Sequence, residues 1–180
     1  MRVLVACGGS GGHIFPALSF LDALKSRQKD LDIIIVVTKR KIESRIIPKY
    51  YRVIYISLRP FIFGFNLKNA IAIIKLLVGT LESIYIILKF NPHIVVGFGG
   101  YASFPLVFFA KIFGMKTIIH EQNVVLGISN KLLARFVDRI AISFNQTREY
   151  LKPYSQKTVF TGNPRQLDLF KVEKKEALDF

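Results

Sequence analysis

The sequence predicts an α/β fold in which a parallel sheet carries helices on both faces. Short apolar runs rich in Val and Ile alternate with longer segments of helical periodicity, and these runs are typical of buried parallel strands. Two of the runs end in glycine clusters, as strands often do before the following helix in this class of fold. With 51% hydrophobic residues, the 180-residue chain can bury one substantial core.

Seven segments are predicted as strands because each is short, apolar and mostly rich in β-branched residues. In chain order they are 2–6, 32–38, 52–57, 93–98, 116–121, 138–143 and 157–162. Cys7 is the only cysteine, so no internal disulfide can form, which fits a reducing compartment. We expect Cys7 to be buried at the end of the first strand.

Helices are predicted between the strands. In chain order they are 14–27, a short helix within 39–49, then 67–90, 105–113 and 128–136. Leu18, Leu21 and Leu24 share one face of the first helix. We expect residues 1–165 to form one domain, and the polar, charged residues 166–180 to be a tail or the start of a linker.

Two glycine clusters, at 8–12 and 97–100, follow the first and fourth predicted strands. Open α/β sheets bind ligands at the carboxyl ends of their strands. Glycine lets backbone N–H groups approach an anion, and the next helix N-terminus adds partial positive charge. The first cluster fits neither the Walker nor the dinucleotide pattern, since no Lys-Ser/Thr follows and Ile14 replaces the last glycine. We expect a phosphate or diphosphate ligand, with simple tight turns as the alternative.

His13 stands beside the first glycine cluster, at the predicted start of a helix. A histidine there is well placed as a general base or as a hydrogen-bond donor to a ligand. The alternative is a capping or packing histidine.

The formal net charge of +14 favours anionic partners: nucleic acid, phosphorylated ligands or an acidic membrane surface. The mean hydropathy is +0.36, and the chain has 16 Phe. Basic residues accompany long aliphatic runs, and no nucleic-acid-binding motif is present. We therefore predict an anionic membrane surface as a partner and no nucleic acid.

The pattern of charged and apolar residues in the predicted helix 67–90 bears on the membrane hypothesis. Its charged residues, Lys68, Lys75, Glu82 and Lys89, recur every seven residues and form one stripe, so the helix must bury most of its remaining surface. No uncharged stretch reaches the roughly 20 residues of a bilayer span. One interpretation is a core-facing helix with a solvated stripe. The other places this region in the membrane interface, with contacts from Phe61, Phe63, Phe65, Lys68 and Lys75.

Four motifs together resemble the amino-terminal half of the MurG family, the bacterial transferases that add N-acetylglucosamine to lipid I and make lipid II. They are GGSGGHIFPAL (8–18), GFGGYASFPL (97–106), HEQNVVLGISNKLLA (120–134) and TGNP (161–164). The resemblance extends from residue 1 to about 165. It implies the Rossmann-like amino-terminal half of a GT-B glycosyltransferase, inverting and without metal or cofactor.

The resemblance also implies partners and a location. The amino-terminal domain of the family binds lipid I, the undecaprenyl-linked diphosphate acceptor, and the carboxy-terminal domain binds UDP-N-acetylglucosamine. The family is similar to this chain in carrying an apolar patch ringed by basic residues. A peripheral position on the cytoplasmic face of the bacterial inner membrane is therefore expected.

The resemblance carries over to individual residues. His13 and Glu121 are rival candidates for the base that takes a proton from the acceptor hydroxyl. For Glu121, the alternative is a buried structural partner of His120 or of loop N–H groups. The implied acceptor contacts are Gly9, Ser10, Gly11, Gly12, Gly99, Gly100, Tyr101, His120, Gln122, Asn123 and Asn130. The implied donor contacts are Ser10, Gly11, Gly12, Asn123 and Arg165.

The sequence departs from the family pattern in three respects. No counterpart of the donor domain is present, so we expect UDP-N-acetylglucosamine to bind only if a donor domain is supplied. TGNPVR is shortened to TGNPR, which puts Arg165 in doubt, and Phe104 replaces a usual glycine. A fragment, half of a split enzyme, a decayed copy and a non-catalytic lipid-diphosphate-binding module all remain open.

Overall fold

The computed structural model describes residues 1–39, 45–58 and 67–165 and contains a seven-stranded parallel sheet. Its strands are β1 (Arg2–Ala6), β2 (Asp32–Thr38), β3 (Arg52–Ile56), β4 (Ile94–Gly97), β5 (Lys116–Glu121), β6 (Arg139–Ile142) and β7 (Thr158–Phe160). Their order in the sheet is β3-β2-β1-β4-β5-β6-β7. The predicted fold class is confirmed, and every strand begins and ends within two residues of its predicted bounds.

The helices that connect the strands in the described residues include α1 (Gly11–Arg27), α2 (Leu67–Phe90), α3 (Ser103–Ile112) and α4 (Ile128–Leu133). Helix α1 begins three residues earlier than predicted. Its first turn contains Gly11 and Gly12, and because glycine is a poor helix former, the sequence does not indicate a helix there. Helix α4 ends three residues earlier than predicted. A 3₁₀ segment, Asn145–Lys157, precedes β7 and was not predicted, since its polar sequence lacks helical periodicity.

Two predictions fall mainly outside the described residues. The short helix within 39–49 is one, and only its end, residues 45–49, is described. The tail at 166–180 is the other. The boundary at residue 165 therefore stays a prediction.

The sheet separates two hydrophobic clusters. In β1, Val3 and Val5 point to the side of α1, whereas Leu4 and Ala6 point to the side of α3. Cys7 follows β1 and is fully buried in the first cluster, as predicted. Because helices cover both faces, the strands are apolar at nearly every position, and their carboxyl ends remain free to carry the loops of the site.

Helix α2 contacts the sheet through a narrow face. A Cβ added to Gly79 would lie 2.5 Å from Cδ2 of Leu58, so the backbones approach closely there. Ser83, Ile86 and Ile87 extend this buried face. The described part of α2 nevertheless exposes a second side, here called the apolar face of α2: Ile74, Leu77, Val78, Leu81, Tyr85 and Leu88.

The interpretation of a core-facing helix with one solvated stripe is therefore wrong for the described part of α2, and the membrane-interface interpretation stays a prediction. Leu77 is 61% exposed and Leu81 is 67% exposed. The charged stripe lies between two apolar sides, and its Glu82 accepts hydrogen bonds from the backbone N–H and Oγ of Ser57. Helical periodicity alone cannot tell which of two apolar sides faces the core. Among the described residues, no helix combines the length and unbroken apolar character required to cross a bilayer.

Candidate functional site

The two glycine clusters meet at the carboxyl ends of β1 and β4, which are neighbours in the centre of the sheet. Gly99 and Gly100 have φ of +85° and +79°, a region that favours glycine. A Cβ on Gly100 would collide with the carbonyl oxygen of Gly8. The two loops therefore touch through their backbones, which requires glycine at position 100.

A cavity of about 330 Å³ opens between these loops and the start of α4. Ser129 closes one side, where its Oγ donates to the carbonyl of Gly100 at 2.9 Å. No Lys or Arg is among the described residues that line this cavity, so backbone N–H groups and helix N-termini are its electropositive features. Its lining consists of Gly8, Gly9, Ser10, His13, Gly99, Gly100, Tyr101, Glu121, Gly127, Ile128, Ser129 and Asn130.

Most of the residues predicted for the site line this cavity, but some do not. His120 and Gln122 are buried on β5 and just after it. Asn123 and Arg165 are exposed outside the cavity. Gly11 and Gly12 form the first turn of α1 without lining it.

Residues 127–129 line the cavity but were not predicted as part of the site. A glycine directly before a helix and after a strand is a signal that could have identified this segment, as for the other two loops. This segment lies inside the third family motif (120–134), but only residues 120–123 and Asn130 of that motif were predicted as site residues.

Glu121 is 1% exposed, and its carboxylate accepts four N–H groups. Oε1 accepts the backbone N–H and the Nδ2 of Asn123 at 3.0 and 3.1 Å. Oε2 accepts the backbone N–H of Gly127 at 3.0 Å and Nδ2 of Asn130 at 2.9 Å. These donors fill the acceptor capacity of the carboxylate, so Glu121 anchors the loop that follows β5.

Asn130 has one polar atom without a partner. Its Nδ2 donates to Glu121 and to the carbonyl of His120, but its buried Oδ1 has no hydrogen bond within the described part of the chain. Asn130 also lines the cavity. A buried, unpaired oxygen is costly, so a ligand or a water that donates to it gains a favourable contact.

His13 lies in the first turn of α1, with its ring against Gly99. Its Nδ1 is 3.0 Å from Oε1 of Gln122. Behind it, Nε2 of His120 is 3.1 Å from the carbonyl oxygen of Gly162. Burial lowers the pKa of His120 and outweighs the Gly162 carbonyl and the Glu121 carboxylate, which raise it, so His120 is neutral at physiological pH.

Two larger cavities lie away from the glycine loops. One, of about 530 Å³, lies at the amino ends of β1 to β3 beside α2, and its lining includes Arg2, Arg52 and Tyr85. The other, of about 850 Å³, lies between α3, α4 and the 3₁₀ segment. Neither contains a residue predicted for the site.

The parallel sheet, its strand order and the glycine loops at its carboxyl edge define a class: the Rossmann-like amino-terminal half of a GT-B glycosyltransferase. Residues 3–142 match the model of the glycosyltransferase family 28 N-terminal domain. The chain therefore belongs to glycosyltransferase family 28.

Two curated relatives of the same name are similar to this chain over nearly its whole length. Over 181 residues the chain is 38% identical to the UDP-N-acetylglucosamine–N-acetylmuramyl-(pentapeptide) pyrophosphoryl-undecaprenol N-acetylglucosamine transferase of Halalkalibacterium halodurans. It is 41% identical over 181 residues to the protein of the same name from Lactiplantibacillus plantarum. Each match covers 99% of this chain and 49% of the relative. The chain thus spans about half the length of the curated relatives it matches.

Solved structures show the same fold. The crystal structure of Acinetobacter baumannii MurG aligns with a TM-score of 0.72 and 24% identity, over 96% of this chain and 49% of that one. A UDP-GlcNAc 2-epimerase from Neisseria meningitidis aligns with a TM-score of 0.68 and 15% identity, over 99% of this chain and 52% of that one. At these identities the likeness concerns the fold alone.

Proposed function

We propose that this chain is the acceptor-binding half of a transferase that moves N-acetylglucosamine from UDP-N-acetylglucosamine to lipid I, forming lipid II in peptidoglycan synthesis. The curated relatives that match it are named for the transfer of N-acetylglucosamine to an undecaprenyl-linked pyrophosphoryl acceptor, and this chain matches about half of each. The observation that carries the proposal is the cavity between the two touching glycine loops. It lies where an open α/β sheet binds its ligand.

The cavity suits a diphosphate through its backbone rather than through cationic side chains. Glycines of the loops that follow β1 and β4 line the cavity, and α1 begins at Gly11 with its electropositive end beside them. Tyr101, which lines the cavity and is 44% exposed, is available to hydroxyl or amide groups of the acceptor. A neutral hydroxyl of this kind orients a ligand without a metal ion.

His13 is the better candidate for the base. An inverting transfer requires one group to remove the proton of the acceptor hydroxyl while its oxygen bonds to the sugar and UDP leaves. His13 lines the cavity, and one of its ring nitrogens is engaged by Gln122. The Glu121 carboxylate already accepts four N–H groups, which favours its alternative role as an anchor.

The apolar face of α2 supports docking on an anionic membrane. Its exposed side chains recur at helical spacing, and Lys75 and Lys89 follow one edge of it. An exposed apolar stripe beside cations is typical of helices that lie in a membrane interface. A lipid-linked acceptor would be presented from that surface, at the cytoplasmic side where the sugar nucleotide is available. The side chains of Phe61, Phe63, Phe65 and Lys68 lie outside the described residues.

The proposal is tested by transfer of N-acetylglucosamine from UDP-N-acetylglucosamine to a lipid I analogue. The chain is assayed alone and mixed with the carboxy-terminal half of a family 28 relative as a separate chain. We expect transfer only in the mixture. His13→Ala should lower the rate by at least about 100-fold, the contribution of a positioned base.

Binding of the lipid I analogue is measured in the same samples. Transfer by the chain alone, or a His13→Ala mixture as fast as the unmodified one, would contradict the assignment. Binding without transfer in any mixture would favour a non-catalytic lipid-diphosphate-binding module.

A further inference from the structure

A line of hydrogen bonds runs from His13 into the core of the site. Nδ1 of His13 lies 3.0 Å from Oε1 of Gln122, and Nε2 of Gln122 lies 3.1 Å from Nδ1 of His120. Nε2 of His120 then lies 3.1 Å from the carbonyl oxygen of Gly162. Gln122 and His120 are 8% and 4% exposed, so neither is a surface contact for a ligand.

The donor and acceptor roles along this line of hydrogen bonds follow from the contact between His120 and Gly162. A backbone carbonyl can only accept, so the Nε2 of His120 must carry the hydrogen that it donates to Gly162. Burial lowers the pKa of His120, and the neutral ring holds a single hydrogen. Its Nδ1 is therefore bare and accepts from Nε2 of Gln122.

The orientation of the Gln122 amide is fixed independently. Its Nε2 also lies 3.1 Å from the backbone carbonyl oxygen of His120, which accepts from an NH₂ group and would repel an oxygen. Both amide hydrogens are then used, one by the His120 carbonyl and one by the His120 ring. Oε1 is left facing His13, so the Nδ1 of His13 must donate to it.

We propose that Gln122 is a positioning residue that fixes the tautomer of His13, so that Nδ1 carries the hydrogen and Nε2 presents a bare lone pair. Within the described part of the chain, Nε2 of His13 has no hydrogen-bond partner, and His13 lines the cavity. This reassigns Gln122 and His120 from acceptor contacts to residues that act through His13. The consequence for catalysis rests on the proposed function, because only the bare Nε2 can take a proton from the acceptor hydroxyl.

Nitrogen NMR of the histidine rings tests this inference without any ligand. The chain has three histidines, at 13, 93 and 120, so ¹⁵N-histidine labelling gives three resolvable rings. Spectra are recorded at a pH well above the ordinary pKa of histidine. We expect hydrogen on Nδ1 of His13 and on Nε2 of His120. His93, whose Nδ1 accepts the backbone N–H of Arg2 at 3.0 Å, serves as an internal reference with hydrogen on Nε2.

Two variants of Gln122 separate positioning from general support. Gln122→Leu removes both polar ends, and we expect His13 to relax toward the Nε2-hydrogen form that free histidine favours. Gln122→Glu still accepts from His13 but cannot donate to His120. We therefore expect the His13 tautomer to be retained while His120 gains a hydrogen on Nδ1.

Thr147→Val is the matched control, because it removes a buried hydrogen bond to the carbonyl of Asn123 without touching Gln122. It should leave all three rings unchanged. Hydrogen on Nε2 of His13 in the unmodified chain would overturn the inference, even if Gln122→Leu fails to fold. An unchanged His13 ring in a folded Gln122→Leu chain would also overturn it. Because no acceptor or donor is present, neither result bears on lipid I binding, which is measured separately.

Discussion

Gly99 lies against the imidazole ring of His13 and limits where that ring can lie. Its φ is +85°, and a Cβ there would lie 2.9 Å from Cε1 and 3.1 Å from Nδ1 of His13. Both residues were predicted from the sequence as parts of ligand loops. Their contact was not predictable, because it joins the loops after two different strands and depends on those strands being neighbours in the sheet.

Gly99→Ala should therefore have two effects. Forcing alanine into a left-handed conformation costs about 1–2 kcal/mol of unfolding free energy. The methyl group should also displace the imidazole of His13, because a contact under 3.0 Å cannot persist. Chemical denaturation measures the first effect, and the His13 ring signals measure the second.

Gly114→Ala is the matched control for this prediction. Gly114 has φ of +79°, but nothing lies within 4 Å of its added Cβ. It should lose similar stability and leave His13 unmoved. If both variants leave the His13 signals unchanged, Gly99 does not position the ring.

Glu121 and Gln122 are adjacent residues of one motif, but they have different roles in the structure. Both were predicted as site residues from one stretch of sequence. Glu121 anchors a loop through four N–H groups, whereas Gln122 contacts His13 directly. These roles depend on which groups from other loops lie against each side chain, such as Gly127 N–H beside Glu121 and the ring of His13 beside Gln122, and local sequence patterns do not specify this.

Among the elements, α3 is tied to the sheet by one carboxylate. Asp138, just before β6, accepts hydrogen bonds from Lys111 near the end of α3 and from the backbone N–H of Thr117 on β5 at 2.8 Å. The hydroxyl of Thr117 also donates to it at 3.0 Å. Burial alone would raise the pKa of Asp138, but Lys111 and Thr117 outweigh it and lower the pKa below its usual value.

Asp138→Asn should cost about 2 kcal/mol of unfolding free energy at neutral pH, because it breaks charge-assisted hydrogen bonds. The folded pKa is the lower one, so the contribution of Asp138 is complete above its ordinary pKa and is lost as the pH falls through the folded pKa. The difference between the two proteins should therefore shrink in acid. Denaturation at a series of pH values measures this.

Glu149→Gln is the control for this experiment. Glu149 pairs with Lys152 at 2.6 Å, but its side chain is 70% exposed. Such an exposed surface pair contributes little to stability, so Glu149→Gln should leave the unfolding free energy nearly unchanged. A difference between Asp138→Asn and the unmodified chain that stays constant from neutral to acid pH would show that Asp138 is not held as described.

The apolar face of α2 leads to a prediction about membranes. Leu81→Glu should lower binding to vesicles of anionic phospholipid at least about tenfold, because a charge in an interfacial apolar stripe opposes insertion. Leu76→Glu is the matched control: Leu76 is 50% exposed but lies away from that face, and the change in net charge is the same. Cosedimentation with the vesicles measures both. Equal loss in the two variants would indicate that charge alone governs binding.

At the scale of the whole molecule, the fold was predictable and its detailed packing was not. Buried parallel strands such as β2 and β4 carry a local signal, since both faces are covered and nearly every residue is apolar, with Asp32 and Thr38 only at the two ends of β2. Both sides of α2 carry apolar residues, and the side that packs is the one on which Gly79 leaves room for the side chain of Leu58. The 3₁₀ segment before β7 is fixed by tertiary contacts of Leu151 and Thr147 rather than by periodicity.

We propose above that the cavity between the two glycine loops binds the diphosphate of a lipid-linked acceptor. An NMR titration of the chain with a short-chain lipid I analogue tests this directly, in comparison with the same muramyl-pentapeptide lacking the diphosphate and lipid. We expect shifts in the amide signals of Gly9, Ser10, Gly99 and Gly100 only with the diphosphate compound. Shifts centred instead on Arg2 and Tyr85, which line the cavity at the other end of the sheet, or equal shifts with both compounds, would contradict it.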